Sequence, residues 1–480
     1  MTLQDRIPAR PVLVVDLDGT LIRSDMLYES FWSGFARDWR TPLHALAGLA
    51  GGRAALKARL ASLTPPDPKT LPYVPEMLEQ IRNWRAEGGR TALVTASDSR
   101  IAEAIGAHLG LFDEVHGSNG GVNLKGATKA AFLRERFGTK GFVYAGDSPV
   151  DLVVWSEAAG AISVGAPPAL RAKVEALHPG SRHLAPPGPE LPAALRAMRP
   201  HQWAKNLLVF FPLVASHQFT GLGLAQGLAA FVAFSLVASS VYLLNDLLDL
   251  ASDRAHPRKR NRPLASGALS LKTGMALIPL LLVAGLAIAL ALTPLFLGVL
   301  ALYYLVTIAY SLWLKRRAII DICTLASLYT LRIVAGAAAM GISLSVWLLA
   351  LSAFLFFALA AVKRQAELVD LANRGVDEVA GRGYRRGDLP VVTQLATSSG
   401  FAAVLVLMLY INDPETAALY PRPMLLWGAC LVLLYWVSRM VLVAQRGRMD
   451  DDPVVFAARD RVSQIVLVLT AALVIGASWQ

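Results

Sequence analysis

Hydrophobic positions divide the chain into two parts. From about residue 200 onward they gather into long runs, whereas residues 1–195 carry only short runs among ordinary charge. Roughly 20 apolar residues cross a bilayer. The long runs therefore predict about nine spanning helices, at 205–218, 223–246, 272–292, 294–313, 318–339, 345–364, 391–411, 424–443 and 461–479. The short runs are of another kind. Pro11–Val15, Thr91–Val94 and Phe142–Ala145 are rich in β-formers and apolar at consecutive positions, the mark of strands buried on both faces of a parallel sheet. The pattern thus predicts an N-terminal α/β domain at 1–165 and a C-terminal all-α, multi-spanning membrane domain at 199–480. Between them, residues 166–198 are rich in Pro, Ala and Gly, with Pro167, Pro168, Pro186, Pro187, Pro189 and Pro192. That composition predicts a semi-rigid linker.

Charge adds an orientation. The chain carries a net charge of +11, which on its own could suggest nucleic acid. Its distribution argues against that partner. Lys and Arg concentrate in alternate connections, at 254–262, 315–317, 363–386 and 439–448. The intervening connections near 217–222, 293–295, 340–344 and 411–423 carry little positive charge, the last holding Asp413, Glu415 and Arg422. This is the positive-inside pattern. It predicts an integral protein of the inner (cytoplasmic) membrane, with the N-terminal domain in the cytoplasm and the C-terminus on the opposite side. Met1 to Arg10 is polar and predicts no signal peptide. Arg196, Arg199 and Lys205 would meet anionic headgroups. Cys323 and Cys430 sit in apolar surroundings and offer no metal spacing, so they are expected as packing residues.

Candidate chemistry in the first domain lies at the strand ends, where open α/β sheets bind ligands. The first strand delivers Asp16-Leu17-Asp18-Gly19-Thr20, the second Thr95-Ala96-Ser97, and the third Gly146-Asp147-Ser148 with Asp151 beyond. Lys125 and Lys129 lie between the last two strands. Together these form a phosphate-and-metal constellation. The arrangement resembles the haloacid dehalogenase (HAD) phosphohydrolase superfamily over roughly residues 10–165, which implies a Rossmann-like domain. The resemblance implies that Asp16 is a nucleophile forming an aspartyl-phosphate and that Asp18 is the general acid/base. It implies that Thr95 and one lysine, Lys129 in preference to Lys125, hold the phosphoryl group. The Mg²⁺ set would be drawn from Asp16, Asp18, Asp147 and Asp151. Residues 25–85, with Trp32, Trp39 and Leu43–Leu60, would form a helical cap after the first strand, though ordinary helix packing would give the same pattern.

In the second domain a long apolar run ends in Asn245-Asp246-Leu247-Leu248-Asp249-Leu250-Ala251-Ser252-Asp253. Asn245, Asp249 and Asp253 repeat every four residues and would share one helix face, with Asp246 beside them. Such hard oxygen ligands suit Mg²⁺ shared with a diphosphate. The bland alternative is an acidic helix end at the lipid–water boundary. Against it, Arg254, Arg258, Lys259, Arg260 and Arg262 follow at once, supplying base for phosphate.

This NDxxDxxxD run resembles the UbiA superfamily of intramembrane transferases, over about residues 195–480. Most members join a prenyl diphosphate to an aromatic acceptor and carry a second Asp-rich loop after the sixth helix. Here that loop reads Lys363-Arg364-Gln365-Ala366-Glu367-Leu368 and lacks the DxxxD spacing. Other strings look like a narrower branch, the decaprenyl-phosphate phosphoribosyltransferases. They are Arg199–Asn206, Arg258–Gly267, Tyr310–Lys315 followed by Ile320-Asp321, Leu331–Gly336, the KRxxEL string, and Asp452–Asp460.

That resemblance implies phosphoribosyl pyrophosphate as donor and a polyprenyl phosphate lipid as acceptor. Asn245, Asp246, Asp249 and Asp253 would hold Mg²⁺ on the leaving group. Lys205, Lys259, Arg262, Lys315, Lys363 and Arg364 would be phosphate clamps or positive-inside anchors, and Glu367 completes the candidate substrate-binding set. Asp321 would orient a clamp lysine or form a buried pair; Tyr310 would line a sugar pocket or belong to an interfacial belt. A phosphatase beside such a transferase suggests a bifunctional enzyme that transfers phosphoribose and then removes its 5-phosphate, with both sites cytoplasmic. Two alternatives are an aromatic or quinone prenyltransferase fused to a phosphatase of unrelated substrate, and a non-catalytic membrane scaffold. The oligomeric state stays open.

Overall fold

A computed structural model describes residues 10–119, 123–184, 188, 190–375, 377, 382–414, 420–449 and 452–479. Met1–Ala9, Pro186, Pro187, Pro189 and Glu415, which figure in the expectations above, lie outside the described residues. By packing, the chain divides into Met1–Met198 with Tyr242–Ile278, and Arg199–Val241 with Pro279–Gln480.

The first unit is built on a six-stranded parallel sheet in the order β3-β2-β1-β4-β5-β6. The strands are β1 Val12–Val15, β2 Thr91–Asp98, β3 Glu114–Ser118, β4 Phe142–Gly146, β5 Gly160–Val164 and β6 Arg182–Leu184. Leu13 pairs with Thr91 on one side and Val143 on the other, so β1 is central. All four β1 residues are buried, Leu13 and Val15 in one apolar cluster and Val12 and Val14 in a second. Period-2 alternation on a strand covered on both faces explains the unbroken apolar run in the sequence.

Three helices, α1 Met26–Arg37, α2 Thr41–Ala50 and α3 Gly52–Leu63, follow β1 and pack on one another, in the stretch where a cap was expected. The next helix, α4 Pro75–Ala86, places Met77 and Ile81 in the sheet core, so it is the crossover to β2 and not cap. Then come α5 Ser99–Leu109, α6 Ala127–Phe137 and α7 Leu152–Glu157.

The stretch expected as a linker is structured. Pro168 starts α8 (Pro168–Leu177), whose Leu170 and Val174 are buried in the sheet core, and β6 pairs with β5 through Ile162↔Arg182. Proline there serves as a first-turn helix residue, where its missing N–H costs nothing, so composition misled. Only α9 Glu190–Ala197 follows before the membrane half.

Eight helices among the described residues are long and apolar enough to cross a membrane. They are Gly221–Leu248, Leu271–Leu290, Pro294–Leu312, Ile320–Met340, Val346–Asn373, Arg386–Asn412, Pro423–Gln445 and Arg461–Ser478. The expected first span, 205–218, is not one of them. It folds as a 3₁₀ run, Pro200–Phe210, and a short α-helix, Phe211–Ala215. Pro200 and Pro212 stand at the starts of these pieces, and Asn206 is buried among polar partners, Ser235 and Arg332.

Candidate functional site

The phosphatase-type residues come together at the C-terminal ends of β1, β2 and β4. Oxygens of Asp16, Asp147 and Asp151 lie within 4.8 Å of one another. Lys129 Nζ sits 2.8 Å from Asp16 Oδ1 and is 2% exposed. Lys125 is exposed and precedes α6, so of the two lysines it is Lys129 that stands beside Asp16. Thr95 is fully buried, its hydroxyl accepting from Ser97 N–H at 3.0 Å. The register of β2 against β3 shifts between Val94 and Asp98, a bulge of the kind that re-aims side chains beside active sites.

Gly19 has φ +73°, and a Cβ there would lie 2.2 Å from Asp147 Oδ2. Only glycine lets the turn after β1 pass so close to β4's aspartate.

Asp18 stands apart from the three-carboxylate group. Its Oδ1 accepts from Met26 N–H at 2.8 Å and its Oδ2 from the Ser97 hydroxyl at 2.7 Å. The metal-ligand role expected for its carboxylate is therefore not supported by the geometry, which commits both oxygens elsewhere. Burial, with the nearby Asp25 charge, pushes the Asp18 carboxyl up to about 7. A carboxyl that exchanges its proton near neutrality suits acid/base work. Burial and the charge of Asp16 likewise raise Asp147 and Asp151. Three crowded carboxylates facing one lysine form a donor set that fits a hard divalent cation such as Mg²⁺.

Three further residues belong here. Tyr144 accepts from Lys129 Nζ at 3.0 Å and donates to Asp151 Oδ1 at 3.1 Å, bridging the lysine and a candidate ligand inside the core. Ser97 holds Asp18. Lys57, from α3, donates to the Ala96 carbonyl at 3.0 Å and ties the cap to the loop bearing Thr95. Ser97 was visible within its motif but not assigned a role; Tyr144 and Lys57 carry no local signal.

The acidic run at 245–253 is arranged differently. The long helix Gly221–Leu248 stops before Asp249, and a short one, Leu250–Ala255, begins after it. Backbone bonds Asp249 N–H to Asn245 O and Asp253 N–H to Asp249 O, 2.9 and 2.8 Å, carry the i→i+4 pattern across the break. The expected single helical face is thus bent at Asp249. Asp246 and Asp253 converge on Arg262, whose Nη1 lies 3.1 and 2.5 Å from them. Burial raises the Asp253 carboxyl, against the pull of Arg262.

Asn245 Oδ1 is buried without a hydrogen-bond partner. An orphaned amide oxygen beside carboxylates fits a cation ligand. Lys259 is half-exposed in the 3₁₀ turn Lys259–Asn261. Arg254 Nη atoms reach Glu29 of α1 at 2.7 and 2.9 Å, and both side chains are buried.

In the second unit, Asp321 is fully buried and held by Arg364, with Arg364 Nη2 at 3.1 Å from Oδ1 and the Tyr310 hydroxyl donating to Oδ1 at 2.8 Å. Arg364 also meets Glu367 at 2.5 Å, and Arg382 approaches both acids at 3.6–3.7 Å. Asp321 therefore pairs with an arginine, as in the buried-pair alternative. Ile319 takes φ +66°, rare for a β-branched residue, and its N–H is held by the Tyr384 hydroxyl at 2.9 Å, fixing the turn into Asp321.

Lys205 pairs with Asp452, and Lys363 Nζ lies 3.9 Å from the same carboxylate. Burial alone would raise Asp452, but Lys363 and Lys205 hold it below the usual range. Arg332 bonds Asn206 Oδ1 at 2.9 Å and the Tyr303 hydroxyl at 3.1 Å. Lys315 is half-exposed. Asn206, Arg332 and Asp452 lie in strings noted in the sequence, and Arg382 in a basic stretch, but none was given a role there, because their partners lie far away along the chain.

Comparison with known proteins decides the family. Residues 207–477 match the UbiA prenyltransferase family, and residues 13–154 match the haloacid dehalogenase-like hydrolases. The chain belongs to the UbiA prenyltransferase family. Its N-terminal domain is HAD-like, so it is an integral membrane transferase joined to a phosphatase domain.

An uncharacterized protein, y4nM, of Sinorhizobium fredii is 38% identical over 96% of this chain and 90% of its own. The nodulation protein NoeC of Azorhizobium caulinodans is 38% identical over 58% of this chain and 90% of its own length. A decaprenyl-phosphate phosphoribosyltransferase of Mycolicibacterium smegmatis is 43% identical over 39% of this chain and 61% of its own length.

Proposed function

We propose that this UbiA-family protein transfers phosphoribose from phosphoribosyl pyrophosphate to a polyprenyl phosphate, and that its HAD domain removes the 5-phosphate to leave polyprenyl-phosphoribose. The similarity to decaprenyl-phosphate phosphoribosyltransferases carries the substrate assignment. Both sites would face the cytoplasm, on the side of the basic loops.

In the phosphatase half, Asp16 Oδ attacks phosphorus while the bond to the sugar oxygen breaks. Asp18, protonated near neutrality, gives its proton to that oxygen. The Asp18 carboxylate then takes a proton from water, which attacks the aspartyl-phosphate and releases inorganic phosphate. Lys129 and Thr95 orient the phosphoryl oxygens. Asp16, Asp147 and Asp151 would hold Mg²⁺, which supplies charge neutralisation when bound.

In the transferase half, Asn245, Asp246, Asp249 and Asp253 would hold Mg²⁺ for the pyrophosphate. Arg262 and Lys259 would bind its phosphate groups, and Lys205, Lys363 and Lys315 are further candidate phosphate clamps. The pyrophosphate leaves the anomeric carbon, positive charge develops there as in other sugar transfers, and a lipid phosphate oxygen closes the new bond. Arg364, Asp321, Tyr310 and Glu367 would act as a rigid bracket for Lys363. The KRxxEL string, expected in a loop, lies within the helix Val346–Asn373, where its Glu367 is committed to Arg364 and Arg382, and this favours the reading over transfer to an aromatic acceptor.

The test is to supply full-length protein with Mg²⁺, labelled phosphoribosyl pyrophosphate and polyprenyl phosphate, and to follow label into lipid. Lipid-borne label is expected, largely dephosphorylated. No label, together with turnover of a prenyl diphosphate and an aromatic acid, would establish the aromatic prenyltransferase instead.

A further inference from the structure

The cap helix α2 is packed the opposite way from a helix that meets water. Two small residues face the protein. Thr41 and Gly48 are buried, and a Cβ on Gly48 would lie 3.1 Å from Leu56 Cα of α3. Its leucines face outward, Leu43, Leu46 and Leu49 being 59, 65 and 52% exposed. Leu43, Leu46, Ala47 and Ala50 are all exposed and form one i, i+3, i+4, i+7 stripe. Trp39, also exposed, stands just before the helix, with the Arg40 guanidinium 5.6 Å from its ring centre. A stripe of this kind implies a covering surface.

Charge identifies that surface. From Trp39 to Pro66 the sequence contains no Asp or Glu but has Arg40, Arg53, Lys57 and Arg59. Arg40 and Arg59 are exposed. Leucines on one face, tryptophan at the end and arginines around them make up a helix that lies in the headgroup layer of an anionic bilayer. An acidic protein partner would match the arginines, but it would leave the leucine stripe without apolar cover of the right depth. The chain's own spanning helices also mean that this domain always accompanies a lipid surface.

We propose that α2 is an interfacial anchor, seated leucines-inward in the headgroup layer of an anionic membrane. Behind it α3 packs on α2 and sends Lys57 to the Ala96 carbonyl, so α2 is backed by the folded domain and its outer face is left for the bilayer. The inference stands on the α2 surface alone and is independent of which lipid the transferase uses.

The experiment uses full-length protein with Cys323 and Cys430 replaced by serine. Single cysteines are introduced along 43–50, and one control at exposed Ala107 on α5. Each is spin-labelled and reconstituted into phosphatidylglycerol-rich or pure phosphatidylcholine nanodiscs. Collision with oxygen and with a water-soluble nickel chelate is then measured. In anionic discs, labels at 43, 46, 47 and 50 are expected to meet oxygen and be shielded from nickel, while Ala107 meets nickel freely. The shielding should weaken in neutral discs and at high salt.

Nickel access along the whole helix overturns the proposal. So does shielding from both probes, which would mean cover by protein or a second copy. In L43E/L46E, hydrolysis of a water-soluble monoester should be unchanged, showing an intact fold, while the label at Ala50 becomes nickel-accessible. Persistent shielding there also overturns the anchor.

Discussion

The phosphatase site and the acidic run of the transferase use the same residue types in opposite states. At the strand ends, Asp16, Asp147 and Asp151 stand crowded together with the single Lys129 as their near cation, their repulsion only partly relieved. At 245–253, Asp246 and Asp253 are already neutralised by Arg262, and Asn245 Oδ1 is left orphaned. The difference follows from the scaffolds. A parallel sheet fixes its strand ends rigidly enough to hold like charges together, and such preorganisation costs no rearrangement during reaction. A bent helix end and a 3₁₀ turn cannot, and there an arginine holds the carboxylates. Under the proposed function a diphosphate would offer that arginine a better anion, so one site would be ready made and the other completed by its substrate.

The sharpest way to break this comparison is to disable each site alone. Asp16→Asn should lower hydrolysis of a soluble phosphate monoester by about 10⁴-fold or more, since the nucleophile is lost. Lipid labelling should continue and stop at the phosphorylated product. Asp249→Asn should lower pyrophosphate release by roughly 10²–10³-fold, as loss of one preorganised charge does, with monoester hydrolysis unchanged. If either variant depresses both activities, the two sites do not work separately.

These two variants could have been chosen from the sequence. Asp16, Thr95 and Asp147 were legible because each lies toward the end of a strand whose apolar run announces it, and strand ends converge in this topology; Lys129, on α6, was legible only as a lysine between two such strands. The geometry added what motifs do not carry. Tyr144 reads as one more aromatic in a buried strand, yet its hydroxyl joins Lys129 to Asp151. The Asp321–Arg364 pair joins residues on different helices, and no local spacing reports it. Residues 166–184 were misjudged because proline at a helix start and proline in a spacer look alike until Leu170, Val174 and β6 are seen in the core. The segment 205–218 has the apolarity of a span, but Pro212 and the buried polar Asn206 divide it.

A third variant asks whether the two regions are mechanically joined. Glu29 of the cap's first helix and Arg254, next to Asp253, form a pair whose side chains are 4 and 6% exposed. Glu29→Gln leaves the arginine buried without its counter-charge, a change that costs about 3–5 kcal/mol in such settings. Thermal unfolding of the reconstituted protein should shift down accordingly. Both activities should fall together, unlike either aspartate variant, and the exchange E29R/R254E should recover part of the loss. Undiminished stability in E29Q would show that the pair forms no working link.

The smallest effect probes the ready-made site from within. The Ser97 hydroxyl donates to Asp18 Oδ2 at 2.7 Å and so favours the ionised carboxylate, opposing the burial that pushes this group up to about 7. Ser97→Ala removes the donor, and the Asp18 carboxyl should rise further. As the proposed general acid, Asp18 would have to be protonated to release the leaving oxygen, so kcat/KM should fall once pH exceeds its pKa. The alkaline limb of the pH–rate profile should therefore move to higher pH in S97A, while the rate at neutral pH changes by only about threefold, in keeping with the loss of one hydrogen bond. An alkaline limb that stays in place, or moves to lower pH, would mean that another group carries the proton. The ready-made character claimed for this site would then rest on its carboxylate cluster alone.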